Sequence, residues 1–414
     1  MHRRFSPLAI CLLALTCVTL PGATAQTVSI LHNFGADGDA AEPDGVLIFD
    51  KAGNAYGVSY RGGTTLNGTV YELSPSGSSW NETILHSFNA SAGDGQTPQG
   101  SLAMDSAGNL YGTTQYGGSR KIGIVYKLSP ASGGTWTEKI IHTFIGGTDG
   151  RFPQAGLILD KKGNLYGTAN QGGTGGTCGG LGCGVVFELS PKSGGAWTEK
   201  ILHTFKGGTT DGANPIASLV MDSAGNLYGT DATGGAHSGG TAFKLTANAS
   251  GGWTQTILHS FNASSSDGSN PYSNLVFDSA GNLYGTTGAG GTNQSGTVFK
   301  LTPGKSGSWT ESVLHTFGGP GTDGQFPYNS GVIFDSLGNL YGTTGGGGST
   351  GQGVVYKMSP ASGGGWTEIV YVNFDGTNGI APTYGLTLNS AGNIYGTALD
   401  GGTQLAGTAF EIVP

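Results

Sequence analysis

Seven times along its 414 residues the chain returns to one hexapeptide. Gly-Asn-Leu-Tyr-Gly-Thr stands at 108–113, 163–168, 225–230, 281–286 and 338–343, with looser copies at 53–58 and 392–397. The Asn of each copy falls at 54, 109, 164, 226, 282, 339 and 393, so the intervals are 55, 55, 62, 56, 57 and 54 residues. A period of this size marks one supersecondary unit that buries its apolar face only by stacking on the next. Fold, core and function all have to be built from that unit.

Each unit carries four short β signals divided by turn chemistry. In the fourth, residues 218–222 read as a short apolar strand (A), and Asp-Ser-Ala-Gly at 222–225 as a tight turn with Gly available for positive φ. Residues 226–230 are strand B, 240–246 strand C after a glycine-rich loop, and 253–261 strand D. Hairpin signals at this spacing give one four-stranded antiparallel sheet per unit. A β-solenoid coil would be about half as long and would lack the repeated Asp-x-x-Gly turns. Glycine supplies 80 residues and charged residues only 11%, so turns are abundant and helix formers scarce.

The two ends are out of phase with the repeat. Residues 27–34 (Thr-Val-Ser-Ile-Leu-His-Asn-Phe) are a D strand with no A, B or C before it. Residues 407–413 (Gly-Thr-Ala-Phe-Glu-Ile-Val) are a C strand with no D after it. An open stack has no use for that offset, whereas a ring closes through it and leaves no exposed edge. The reading is all-β: a seven-bladed β-propeller with four-stranded antiparallel blades, one domain over 26–414. The N-terminal strand completes the last blade in a 3+1 closure. The in-strand glycines at 112, 167, 229, 285, 342 and 396 are expected to leave room for an aromatic of the adjacent blade.

Residues 1–25 have the form of a secretory signal peptide: Met-His-Arg-Arg, an apolar run from Leu8 to Leu20, and a small-residue site with cleavage after Ala25. Lipoprotein cleavage at Cys11 or Cys17 fits less well, because apolar sequence continues past Cys17. No later run reaches the ~18 apolar residues of a membrane helix, so membrane insertion is not expected. Without its two leader arginines the net charge of −8 becomes −10, which argues against nucleic acid and anionic membranes as partners. Cys178 and Cys183 flank Gly-Gly-Leu-Gly in one long loop and read as a local disulfide in an exported chain.

Four motifs together resemble a known family. They are Leu-His-x-Phe, the Asp-Gly-x-x-Pro linker (as at 94–98), Gly-Asn-Leu-Tyr-Gly-Thr-Thr, and Gly-Gly-Thr followed by Gly-x-Val-Phe. In combination they are similar to the GloVer tandem-repeat proteins, over essentially the whole mature chain. The resemblance implies a bacterial, extracytoplasmic protein, often with a C-terminal surface anchor, and brings no assigned activity. The chain ends at Glu411-Ile-Val-Pro414 without a membrane segment or basic tail, so secretion or the periplasm is expected in place of an anchor.

In such a ring, a residue present once per blade is read as architectural, and a site draws on residues that break the pattern. His recurs in strand D at 32, 86, 142, 203, 259 and 315, with Val372 in the seventh copy. One His per blade cannot supply the three or four nitrogens of a common metal site, so a hydrogen bond to an Asp of a neighbouring turn is expected. Asp at 50, 105, 160, 222, 278 and 335 opens the A–B turn. A calcium loop needs several oxygen ligands there, so an Asx-type turn is the better reading. Trp at 80, 136, 197, 253, 309 and 366 reads as inter-blade packing, with a peripheral sugar site as the alternative. Strand C carries Glu or Lys at 72, 127, 188, 244, 300 and 357, and strand D Glu or Gln at 82, 138, 199, 255, 311 and 368. These read as cross-strand partners on a solvated rim.

The pattern-breaking residues fall in the B–C and D–A loops, which propeller topology places on one face. Tyr60, Arg61, Tyr116, Arg120, Arg151, His237, Tyr272 and Tyr328 are the candidate binding residues, with Phe152, Phe326 and Tyr384 among their neighbours. No nucleophile elbow, phosphate loop, HExxH or paired-cysteine metal motif is present, and no cofactor, metal or catalytic residue is assigned. The expected function is an exported, monomeric, non-catalytic module binding a glycan or an extracellular protein. A polysaccharide-active enzyme with its site at the channel mouth, and a structural surface protein, are the alternatives.

Overall fold

The two ends of the chain meet in one sheet. Thr27–Asn33 lies antiparallel to Thr408–Val413, pairing Val28 with Ile412 and Asn33 with Thr408, and it completes a blade whose other strands are Thr387–Leu388 and Ile394–Ala398. The computed structural model describes residues 26–35, 38–263, 266–319 and 321–414; the leader at 1–25 lies outside them. Among the described residues there are seven four-stranded antiparallel sheets and no α-helix. This is the seven-bladed propeller with 3+1 closure. We number the blades from the N-terminus, so blade 1 opens at Ala40 and blade 7 is the closing one. In blade 4, strands A to D are Val220–Met221, Leu227–Asp231, Thr241–Ala247 and Trp253–Ser260.

The hexapeptide earns its recurrence residue by residue. Its Asn and Tyr close the A–B turn onto the Asp that opens it. Asp222 Oδ1 accepts from the Ala224 and Asn226 N–H groups, and Oδ2 from Asn226 Nδ2 at 2.7 Å and the Tyr228 hydroxyl at 3.0 Å. Four donors fill a carboxylate's roughly four lone-pair positions, so the turn is satisfied without a cation. In blade 7 Asn389 replaces the Asp, and Glu411 takes over, accepting from Asn393 at 2.7 Å and Tyr395 at 2.6 Å. The hexapeptide's Thr ties blades together. The Thr113, Thr230 and Thr286 hydroxyls donate to the Ala155, Ser273 and Ser330 carbonyls of the next blade.

The in-strand Gly does make room for an aromatic, but one of its own blade. A Cβ on Gly229 would lie 2.7 Å from Cζ of Phe243, its cross-strand partner in strand C. The inter-blade aromatic contact is made by the Phe that follows strand D, wholly buried in every blade. Phe88 meets Tyr126 of the next blade edge-on at 5.0 Å, and across the seam Phe34 meets Tyr71 at the same distance. Half-buried Trp residues pack edge-on against the Tyr of the preceding blade, as in Tyr228–Trp309 at 6.3 Å.

The strand-D acids are not on a solvated rim. Register pairs Glu72 with Thr83 and Leu73 with Glu82, so alternation turns the acids of strands C and D to opposite faces. Those of strand D face the junction with the preceding blade, beside a His and a linker Asp. The local disulfide is present: Cys178 and Cys183 are bridged with Cα atoms 5.2 Å apart, and Cys183 is buried.

Candidate functional site

Each blade enters strand A through its linker, and the linker is tied to the B–C loop of the same blade. Gly150 pairs with Gly172, Gly212 with Gly234, Gly268 with Gly290 and Gly324 with Gly347. Both loop sets therefore share one face, and strand A starts at the channel mouth on that face. There a cavity of about 90 Å³ is lined by residues from all seven blades that follow the linker prolines, including Asp44, Gln99, Gln154, Ile216, Tyr272, Asn329 and Tyr384.

Asp44 is the one carboxylate among these lining residues, and it is 2% exposed. Its Oδ2 accepts from the Tyr384 hydroxyl of blade 7 at 2.5 Å and its Oδ1 from the Gly100 N–H of blade 2 at 2.9 Å. One side chain thus bridges three blades across the seam. Burial pushes its carboxyl up to about 6, against the two hydrogen bonds that favour the ion. Burial raises the Tyr384 phenol well above its ordinary range, and the Asp44 charge adds to this. Gln99 places its buried Oε1 at the same mouth without a hydrogen-bond partner among the described residues.

The sequence-derived candidates gather into three groups. Tyr272 and Tyr328 approach to 6.0 Å, and Phe326 stacks on Tyr328 at 5.7 Å with an 8° interplanar angle. Gly288 allows this, because a Cβ there would lie 2.6 Å from the Tyr328 ring and 3.0 Å from Tyr272. Tyr116 meets Phe152 edge-on at 5.3 Å, and the Arg151 guanidinium lies 4.7 Å over the Phe152 ring. Arg61 pairs with Glu42 at 3.1 Å beside Tyr60. Arg120 and His237 are exposed in the B–C loops of blades 2 and 4.

One backbone feature recurs beside these groups. The residue before the linker proline is left-handed in every blade, and Asn214 and Asn270 suit that conformation. Phe152 and Phe326 hold it at φ 57° and 58°, which costs a bulky residue roughly 1–3 kcal/mol. The conformation recurs in every blade and so belongs to the linker, and in these two blades it is held by an aromatic residue. Asp44 escaped the sequence reading, although its signal was available: it alone is acidic among the seven residues that follow the linker prolines.

A seven-bladed repeat propeller with an asymmetric, aromatic-rimmed mouth is the class these features define. The chain belongs to the Gloeobacter/Verrucomicrobia repeat family, whose model matches residues 17–181, 133–273, 175–332 and 250–414. A search of curated proteins found no match. Among solved structures it is similar to a protein from Bacteroides uniformis assigned as a 6-phosphogluconolactonase, at 14% identity over 78% of this chain and 84% of that one, with TM-score 0.50. It is also similar to the extracellular domain of a hybrid two-component system from B. thetaiotaomicron, at 13% identity and TM-score 0.55. That match covers 93% of this chain and 39% of the other. At such identities the likeness is one of fold.

Proposed function

We propose that the protein is an exported, non-catalytic propeller that binds a glycan or an extracellular protein through its loop-rich face, centred on the channel mouth. The observation that carries this reading is the ring of post-proline residues: Asp44, Gln99, Gln154, Ile216, Tyr272, Tyr328 and Thr383. The proline before it stands in every blade, while this position takes five residue types in seven blades. The Tyr272–Tyr328–Phe326 group offers aromatic faces of the kind that stack on sugar rings, and Asp44 and Gln99 offer acceptors. Export is supported by the leader-like N-terminus and by a disulfide, which persists in oxidising compartments. Glycoside hydrolysis ordinarily uses two carboxyl groups roughly 5–10 Å apart. Among the described lining residues Asp44 stands alone, which favours binding over turnover.

A glycan array and a polysaccharide-hydrolysis screen on the mature chain test the reading. Binding without turnover is expected, weakened at least tenfold in Tyr272→Ala and Tyr328→Ala. Turnover of any substrate overturns the non-catalytic reading, and binding indifferent to both substitutions removes the site from the mouth.

A further inference from the structure

At five of the seven blade junctions three side chains converge from separate elements: the His of one blade's strand D, the Asp of the following linker, and the acid of the next blade's strand D. His86, Asp94 and Glu138 do so at junction 1/2, and His142, Asp149 and Glu199 at junction 2/3, with their polar atoms within 4.8 Å of one another. Junctions 7/1, 4/5 and 5/6 repeat the arrangement around Glu82, Glu311 and Glu368. Two carboxylates so close, both ionised, would repel strongly.

The linker Asp is the ionised member. Asp94 Oδ2 accepts from His86 Nε2 at 2.9 Å and the Asn89 N–H at 3.0 Å, and Oδ1 from the Gly95 N–H at 2.5 Å. Its carboxyl is held below the usual range, burial opposing and these donors prevailing. Three of its roughly four lone-pair positions are filled. Junction 3/4 shows what fills the fourth. There Gln255 replaces the Glu, and its Nε2 donates to Asp211 Oδ1 at 2.8 Å, beside the Gly212 N–H on the same oxygen. A glutamine amide is the neutral, proton-donating counterpart of a protonated glutamic acid. At junction 6/7 the set is replaced as a whole, by Val372, Asn378 and Val28.

We infer that Glu138, Glu199 and Glu311 are neutral acids in mildly acidic solution, each donating its proton to the linker Asp, so that shared protons stitch blade to blade and the ring loosens as they leave with rising pH. A metal ion in these clusters would have to compete with N–H donors already on both Asp oxygens. Burial first, and the Asp charge second, push Glu138 and Glu311 up to about 7. Burial and Asp149 push Glu199 up to about 9. The groups facing Glu138 are Asp94, His86 and the Tyr126 phenol of its own blade; those facing Glu199 are Asp149 and His142.

A carboxyl whose pKa is raised on folding adds stability below its unfolded value, and loses it as pH climbs through the folded value. Between about pH 5 and 7 the unfolding constant should rise about tenfold per pH unit for each such glutamate. The measurement is chemical unfolding of the mature chain from pH 5 to 9.5, for wild type, Glu138→Gln, Glu199→Gln and the Glu138→Gln/Glu199→Gln/Glu311→Gln triple variant. Wild type should weaken steadily while the triple variant shows a much flatter profile, each single substitution removing one proton's worth of slope. Infrared spectra at pH 6 should show a protonated-carboxyl carbonyl band that shrinks in each variant. A flat wild-type profile, Gln variants crippled at pH 6, or stoichiometric metal whose removal lowers stability would each overturn the inference.

Discussion

Phe34 is the cleanest place to test ring closure. Its ring is wholly buried, 5.0 Å from Tyr71 of blade 1, in a cluster with Leu31, Leu47, Leu73 and Tyr395. Its N–H donates to the Gly407 carbonyl at 3.0 Å. Phe34→Ala deletes a core aromatic, worth about 3–5 kcal/mol. Phe205 occupies the equivalent place in blade 3, 5.2 Å from Phe243, so Phe205→Ala should cost a similar amount. The two sites differ in how their strand is tethered. The Thr403–Asn33 bond that docks the seam strand spans 370 residues, whereas its blade 1 counterpart, Thr64–Ser87, spans 23. The logarithmic cost of loop closure makes that difference about 2.5 kcal/mol against the seam. Phe34→Ala should therefore release residues 27–34 before the ring melts, whereas Phe205→Ala should lower one cooperative transition. Urea unfolding gives the total, and hydrogen exchange by mass spectrometry gives the location. Open-ended stacking would make Phe34 a fraying end residue. A Phe34→Ala loss below about 1 kcal/mol, or unchanged protection of residues 27–34, would refute closure.

Three further outcomes follow from named contacts. Asp44 is buried with a carboxyl raised to about 6, so its contribution is present in acid and lost as pH rises through 6. Asp44→Asn should therefore gain on wild type by up to about 3 kcal/mol between pH 4 and 8, measured as the difference in urea midpoints. Gly229→Ala should cost about 1–3 kcal/mol, because its new methyl meets Phe243 at 2.7 Å and Leu219 at 2.9 Å; an unchanged thermal midpoint would contradict that contact. The Cys178–Cys183 bridge closes a short loop, with sequence separation 5, so Cys178→Ser should cost at most about 2 kcal/mol. Loss of the whole fold on reduction would contradict this.

Much of this molecule was legible because the chain repeats its own evidence. Seven anchors and the offset between residues 27–34 and 407–413 define a closed ring, and the Asp-x-x-Gly turns define its hairpins. The misreadings share one cause: they concern contacts whose partners are fixed by register. Sequence spacing pairs Glu82 with Glu72, but Glu72 faces Thr83, and a slip of one residue sends a side chain to the other face. The aromatic that fills the space at Gly229 belongs to its own blade for the same reason, since strand pairing sets Phe243 opposite it. The Asp44–Tyr384 bond joins residues 340 apart and has no local signature. The junction cluster did leave one. His, Asp and Glu give way together at Val372, Asn378 and Val28, as residues sharing one place should.

On the proposed reading, repetition separates the labour of holding the ring from that of recognition. The turn carboxylate, the buried Phe, the Thr stitch and the junction acid each recur, so a loss in one blade leaves the others intact. The residue after each linker proline stands outside that scheme. Gln99, Gln154, Ile216 and Tyr272 are half-buried at the mouth, and Tyr328 is exposed. Substitution there removes little core, so the position is free to diverge from blade to blade. Asp44 is the exception, because it also ties the seam through Tyr384 and Gly100. A ligand reaching the channel would thus meet the ring at its closing point, and binding and closure would act on the same side chain. Exchange of the residues at 99, 154 and 216 should consequently alter binding with little change in stability, whereas exchange at 44 should alter both.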